Sequence, residues 1–317
     1  MDGVPRVSIG LPVFNGERFL VEAVESILAQ HERDLELIIA DNASTDATAE
    51  ICRDFVARDQ RVRYVGSDRN RGIAWNFNRL VDLARAPYFK WADCDDVIEP
   101  SLVGRCVAAL DADPSAVLAY TWARYIDENG DTLRETVEVP QYGSSANTVE
   151  RVKGFLRLPA THVLELQGVI RRRELSATCR MGPYATSDLA LILELAMRGR
   201  FAEIPEPLFL HRMHDARASL AAPSPRERSR IHTEDGRAAL LPRWRLAIGL
   251  ARGVLASPVP VSQRLQILPA VGLWATRHWT QLAFDLVEGL PGPGARTAEA
   301  VRRRRRAHRQ IAGVPTP

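Results

Sequence analysis

Short apolar runs alternate with stretches of helical period along the first third of the chain. Val7-Ser-Ile-Gly-Leu-Pro-Val13 has the character of a buried strand, ended by Pro12 and the turn pair Asn15-Gly16. From Glu17 to Gln30 the apolar residues fall at 20, 24, 27 and 28, one face of a helix. Leu35-Glu-Leu-Ile-Ile-Ala40 is a second strand, and Ser44 or Asp46 can cap the helix that follows to about Arg58. Val62–Val65 gives a third strand, Asn70-Arg-Gly-Ile-Ala74 opens a third helix to about Ala84, and Pro87–Ala92 is a fourth strand. Strands alternating with helices predict an α/β fold, a parallel Rossmann-like sheet covered on both faces.

The pattern loosens beyond the fourth strand. Val117–Thr121 is a further strand and Asp127-Glu-Asn-Gly-Asp131 a hairpin turn. Residues 136–160, with Pro140, Gly143-Ser-Ser145 and few periodic apolar positions, read as a loop-rich insertion. Ser187-Asp188 begins a helix, and Phe201 to His214 holds a short strand. After Pro223-Ser-Pro225 the composition changes. Leu240, Trp244, Ile248, Ala251 and Leu255 form one helical stripe; Leu268, Val271, Ala275, Trp279, Leu282 and Leu286 form another, with Ser257-Pro-Val-Pro260 as the turn between them. The expected organisation is an α/β domain over residues 1–224 and a basic helical region over 225–317.

Charge sharpens that division. The net charge of +3 conceals −7 in residues 1–224 and +10 in residues 225–317. The helical region therefore has two readings: packing on the main domain or on a second copy in a homodimer, or an interfacial module on an anionic membrane. The longest uncharged stretch there, Leu265 to Thr276, is 12 residues and contains Pro269, too short to cross a bilayer. Arg302-Arg-Arg-Arg-Arg306 lacks interleaved aromatics, so nucleic acid is not an expected partner. Cys52, Cys94, Cys106 and Cys179 show neither disulfide density nor C-x-x-C spacing, and no signal-like apolar start is visible; a cytoplasmic, reducing setting is expected, with peripheral attachment to the membrane as its variant.

The candidate chemistry lies at the strand ends. Ligands of open α/β sheets bind outside the carboxyl ends of the strands. That rule gathers Pro12 to Asn15, Asp41-Asn42, Asp68 to Arg71 and Asp93 to Asp96 on one rim, a nucleotide site in outline. Asp93, Asp95 and Asp96 occupy four consecutive positions, and like charges that close repel. Either the segment is a solvated turn with capping Asp residues, or a hard cation such as Mg²⁺ or Mn²⁺ offsets the repulsion. Gly10-Leu-Pro-Val-Phe-Asn-Gly16 does not match G-x-G-x-x-G, which disfavours a dinucleotide and hydride transfer.

Pro12-Val-Phe-Asn-Gly-Glu-Arg-Phe-Leu20 with Ser26-Ile-Leu-Ala-Gln30, Asp41-Asn-Ala-Ser-Thr-Asp46, Asn70-Arg-Gly72 with Asn78, and Asp93-Cys-Asp-Asp96 with Pro100 resemble family 2 glycosyltransferases of the GT-A fold over about residues 5–215. The resemblance implies an inverting, metal-dependent transfer of a sugar from a nucleoside diphosphate donor, UDP-, dTDP- or GDP-linked, to a saccharide or lipid-linked acceptor. By position it implies that Pro12, Val13 and Asp41 hold the nucleobase, with Asn15 beside them. Asp93 would meet the ribose or the metal and Asp95 would ligate Mn²⁺ or Mg²⁺. Asn70, Arg71 and Asn78 lie near the donor in this scheme. Gly168-Val-Ile-Arg-Arg-Arg-Glu-Leu175 and Met181-Gly-Pro-Tyr184 resemble the stretch leading to the family's catalytic carboxylate, here Asp188, although Ser187-Asp188 also reads as a helix cap. Arg212-Met-His214 resembles an Arg-x-His element in which Arg212 faces the pyrophosphate and His214 is a nitrogen ligand to the metal; His211 is a weaker candidate. A sugar-nucleotide pyrophosphorylase is the enzymatic alternative, but Val13-Phe-Asn-Gly16 has no basic residue for a triphosphate. A non-catalytic nucleotide- or lipid-surface-binding protein is the other alternative.

Overall fold

A strand apolar on both sides is stable only where both faces of its sheet are covered. β1 (Val7–Val13) and β2 (Leu35–Asp41) meet that condition: six residues of β1 and all seven of β2 are buried. In the computed structural model, which describes residues 3–137, 141–157, 164–215, 229–234 and 241–289, β3 (Val62–Gly66) and β4 (Tyr88–Trp91) extend this parallel core in the order β3-β2-β1-β4. α1 (Leu20–Leu28), α2 (Thr48–Arg58) and α3 (Ile73–Leu83) make the crossovers. The chain leaves β1 on one side for β2 and β3 and returns on the other for β4. The cleft outside β1 and β4 is therefore the switch point at which such sheets bind ligands.

Beyond β4 the sheet becomes mixed. β5 (Val97–Ile98), β6 (Ala116–Ile126), β7 (Thr132–Val137), β8 (Val169–Arg171) and β9 (Arg200–Arg212) continue it as β4-β8-β6-β9-β5, with β7 paired to β6. Two helices depart from the expectation. α4 (Leu102–Ala112) went unpredicted although Leu102, Cys106, Leu110 and their neighbours Val103 and Val107 share one buried face. Residues 136–160 are not loop throughout: α5 (Thr148–Phe155) forms there, capped by Asn147, whose side chain accepts from the N–H groups of Val149 and Glu150. Val149, Val152 and Phe155 supply the apolar face that loop composition had masked. Pro140 lies outside the described residues.

α6 (Arg172–Ser176) and α7 (Ser187–Arg198) precede β9. Ten residues of α7 are buried, and the other two are Asp188 and Arg198. Against α7 packs α8 (Pro242–Ala256), followed by α9 (Val261–Arg277) and α10 (Trp279–Gly289). Gly249 and Gly253 permit the approach: a Cβ at the first would meet the Tyr184 hydroxyl and at the second the Glu194 side chain. Leu246, Leu250, Val254, Ile267 and Val271 join the core of the α/β domain, so the helical region packs on that domain. The predicted stripe on α8 turns out to be its outer face, since Trp244, Ile248 and Leu255 are exposed while Leu246, Leu250 and Val254 face inward. The second predicted helix is two, divided at His278. Leu240, the boundary near residue 224 and Arg302–Arg306 lie outside the described residues.

One buried charge anchors the end of the sheet away from the switch point. Glu36 on β2, directly opposite Ser8 on β1, accepts from the Ser8 hydroxyl at 2.6 Å and the Arg85 N–H at 3.0 Å, and pairs with the Arg63 and Arg85 guanidinium groups. Burial pushes its pKa up, but these hydrogen bonds outweigh burial and hold it below the ordinary value. Because the folded value is depressed, the stabilisation is present above the unfolded carboxylate value of about 4.3 and fades as pH falls through the folded value. Glu36→Gln is expected to cost about 1–3 kcal/mol near neutral pH. Urea midpoints for variant and wild type should converge on acidification.

Candidate active site

The β1–β2 register sets Val13 beside Asp41 and Pro12 beside Ala40, so Pro12, Val13 and Asp41 meet at the carboxyl end of the sheet. The two loops that leave these strands are stitched together. Asn15, left-handed at φ 53°, donates its N–H to Ser44 Oγ and accepts from the Thr45 N–H through Oδ1, both at 2.9 Å. The Gly16 N–H donates to Thr48 Oγ1, and α1 begins at Leu20, the first apolar position of its pattern. Asp41 Oδ1 accepts from the Ser44 N–H and hydroxyl at 2.9 and 2.6 Å, and Oδ2 from the Tyr64 hydroxyl at 2.8 Å. Burial and the Asp41 carboxylate together push the Tyr64 phenol up to about 12.

The loop after β3 is organised by Asn42, which sequence reasoning placed on the rim without a task. Its amide donates to Asn70 Oδ1 and the Gly72 carbonyl and accepts from the Arg71 N–H. Asn70 Oδ1 also accepts from the Gly72 N–H, so this side chain holds the loop that opens α3. Gly72 is left-handed at φ 80°, and a Cβ there would lie 2.7 Å from the Thr233 carbonyl. Arg71 pairs with Asp68 at 3.0 Å and stacks its guanidinium over Trp75.

After β4 the three crowded carboxylates separate. Asp96, buried, accepts the Arg212 N–H on Oδ1 at 2.8 Å, and its Oδ2 lies 3.1 Å from His211 Nδ1. Asp93 Oδ2 accepts from the Gln167 amide at 2.8 Å. Asp95 Oδ2 lies 2.9 Å from His214 Nε2, whose ring packs against Phe19. Arg212 departs from its expected place at the pyrophosphate. It is 1% exposed, and its guanidinium donates to the carbonyls of Asp95, Asp127 and Glu128 and to the Glu22 carboxylate. Those acceptors leave it fastening the Asp95 main chain to α1 and the β6–β7 turn.

The expected ligand trio of Asp93, Asp95 and His214 also changes. Among the described residues no three His, Cys, Asp or Glu side chains gather tightly enough to hold a metal ion. The structure brings together Asp95 and His214 and draws Asp93 to Gln167. That pair still suits a hard divalent cation. Adjacent ligands at about 2.1 Å in an octahedron stand about 3 Å apart, close to the 2.9 Å between Oδ2 and Nε2. Such ions commonly take only one or two protein side chains and complete their shell with substrate phosphates and water. The residues present therefore fit the group.

The 3₁₀ turn Leu164–Gln167 holds two functional candidates that the sequence pattern missed. Gln167 carries the Asp93 contact, and its carbonyl accepts from the buried Lys90 ammonium, which burial brings down to about 8. Glu165 accepts from the Tyr142 hydroxyl, while its Oε2 has no partner among the described residues. Burial pushes Glu165 up to about 7, and the charge of Asp188 adds to the shift. No periodicity marks this turn; its only sequence signal is a Gln and a Glu within an apolar stretch ahead of β8.

Asp188 is not the helix cap. Thr186, left-handed at φ 67°, occupies the N-cap position without a side-chain cap, and Asp188 stands in the first turn, accepting the Leu189 N–H at 3.0 Å. Burial raises its pKa. The segment before it is held by Asn78 on α3, whose amide donates to the Met181 carbonyl at 2.9 Å and accepts from the Met181 N–H at 3.0 Å. Asn78 therefore positions the approach to Asp188, and both its amide groups are spent in doing so.

The model of glycosyl transferase family 2 matches residues 8–172, which contain every strand-end loop of the parallel core. The chain belongs to glycosyl transferase family 2. The chondroitin synthase of Escherichia coli is 38% identical over 155 residues, 49% of this chain but 22% of that synthase's length. S. aureus TarS 1-349, solved in complex with UDP, superposes with a TM-score of 0.61 at 15% identity, covering 98% of this chain and 93% of that one. The same TarS fragment has also been solved with UDP-GlcNAc. The mannosyltransferase PcManGT of Pyrobaculum calidifontis, in complex with GDP-Man and Mn²⁺, aligns at a TM-score of 0.50 and 16% identity over 92% of this chain. These neighbours share the α/β fold, helical C-terminal region included where TarS is matched.

In this family 2 chain the Asn78 clamp has a direct test. Each hydrogen bond is worth about 0.5–1.5 kcal/mol, so Asn78→Ala should favour local opening of residues 181–186 roughly tenfold or more. Hydrogen exchange at those amides should accelerate by that factor while β1 and β2 exchange as before.

Proposed function

We propose that the chain is an inverting glycosyltransferase that moves a sugar from a nucleoside diphosphate donor to an acceptor hydroxyl, in polysaccharide or glycolipid synthesis. The observation that carries the reading is the convergence, outside β1, β2 and β4, of Asp41, Asp93 and the Asp95–His214 pair, with Asp188 in the first turn of α7 as the candidate base. Asp41 has three of about four acceptor positions taken by Ser44 and Tyr64, which fixes the carboxylate and leaves room for one ring N–H of a pyrimidine base. TarS bound to UDP and UDP-GlcNAc supports a UDP-linked donor; the GDP-Man complex of PcManGT keeps a GDP-linked donor as the alternative.

Asp95 and His214 are the residues that would hold Mn²⁺ or Mg²⁺. There the cation would supply positive charge against that developing on the leaving diphosphate. Asp93, fixed through Gln167, would meet the ribose. Arg212 keeps the Asp95 loop in register from behind. Asp188 takes the proton of the acceptor hydroxyl as its oxygen bonds to the anomeric carbon; the carbon–phosphate oxygen bond breaks, and its electron pair leaves with the diphosphate. Attack opposite the leaving group inverts the centre. Burial helps here, because a carboxylate whose pKa is raised is a stronger base.

Asp188→Asn preserves size and the Leu189 contact but removes the base. UDP affinity by calorimetry should stay near wild type, while UDP release from UDP-sugars in the presence of acceptor should fall by about 10² or more. Near-normal turnover in Asp188→Asn would move the base elsewhere.

A further inference from the structure

α8, α9 and α10 are apolar on two sides. One side enters the core through Leu246, Leu250 and Val254 on α8 and Ile267 and Val271 on α9. The other side is exposed among the described residues. Nine of the fifteen large hydrophobic side chains exposed among the described residues lie on these three helices, so the exposure is concentrated rather than scattered. Trp279 is 65% exposed, Leu265 66% and Leu255 57%. Trp244, Ile248 and Leu255 follow spacings of four and seven along α8, which makes them one ridge.

The charge around that surface is predominantly basic. Residues 241–289 contain Arg243, Arg245, Arg252, Arg264 and Arg277 and two acidic residues, Asp285 and Glu288. Asp285 is buried and paired with Arg243 at 2.7 Å, which leaves four arginines against Glu288 over these helices. Residues 290–317 add seven further arginines to the sequence, Arg296, Arg302–Arg306 and Arg309, against Glu299 alone. We infer that α8, α9 and α10 form an interfacial docking surface for anionic lipid. Apolar side chains with a tryptophan enter the acyl boundary, and the arginines meet the headgroups. A second copy is a poorer occupant, because a two-fold interface would set this arginine-rich surface against itself. No helix among the described residues is long and apolar enough to cross a membrane, which agrees with a surface that lies in the interface plane.

The surface is also tied to the candidate site. α8 packs on α7, whose first turn carries Asp188, and Gly249 lies against the Tyr184 hydroxyl in the loop before it. Docking would hold the acceptor side of the cleft near the bilayer, where a lipid-linked acceptor is found. The inference stands on surface composition and does not depend on the proposed chemistry.

Flotation of the full chain with vesicles tests it. Vesicles of phosphatidylglycerol and phosphatidylcholine should carry the protein at low salt, and phosphatidylcholine alone should carry much less. Arg252→Gln with Arg277→Gln should lower partition onto the anionic vesicles about tenfold or more, given about 1 kcal/mol for each arginine near an anionic surface. Leu265→Glu with Trp279→Glu should lower it at least as far while leaving UDP affinity unchanged. Equal binding to neutral and anionic vesicles, or no binding to either, would overturn the inference. A dimer in light scattering that Leu265→Glu with Trp279→Glu converts to monomer would assign the surface to a second copy instead.

Discussion

Three carboxylates in four positions cannot share one environment at the end of a buried strand, and the rest of the site is arranged around keeping them apart. Asp96 is turned inward to the Arg212 N–H and His211, Asp93 sideways to Gln167, and Asp95 to His214. The partners come from two distant parts of the chain. The end of β9 and the residues just after it deliver His211, Arg212 and His214, and the 164–167 turn delivers Gln167. The loop after β4 is thus defined by elements more than seventy residues away, as the Gln167–Asp93 separation shows. A site built this way exists only when the mixed half of the sheet has formed on the parallel half.

Arg212 illustrates how internal acceptors can occupy a side chain that a motif suggests for a ligand. A guanidinium matches phosphate geometry, which is why Arg-x-His suggested the pyrophosphate. Burial among three carbonyls and Glu22 satisfies the same donors internally. Asn70 and Asn78 follow the same rule, one holding its own loop and the other the Met181 segment. In each case the residue contributes by fixing a neighbour that faces the cleft. Such residues are as exacting in identity as those that touch ligand, so a motif cannot separate the two classes.

The parallel core was legible because two-sided burial leaves unbroken apolar runs, and β1 to β4 fell where Val7–Val13, Leu35–Ala40, Val62–Val65 and Pro87–Ala92 indicated. α5 was missed because it is short and Asn147 was the overlooked cap; α4, with one continuous buried face, was legible and went unread. Glu165 and Gln167 were illegible for a different reason. Their meaning arises from contacts with Tyr142, Asp188, Lys90 and Asp93 that no local spacing encodes. The outer stripe of α8 was seen but its cover was left open between protein and membrane, since periodicity reports an apolar face and not what covers it.

The central claim is that Asp95 and His214 together form the protein's share of a cation site that serves the donor diphosphate. The most direct test is calorimetry of UDP binding with and without Mn²⁺ for wild type, Asp95→Ala and His214→Ala. The account predicts that Mn²⁺ strengthens UDP binding at least tenfold in wild type, a coupling of about 1.4 kcal/mol, and that both variants lose this gain while keeping metal-free affinity. An undiminished Mn²⁺ effect in both variants, or none in wild type, would contradict it.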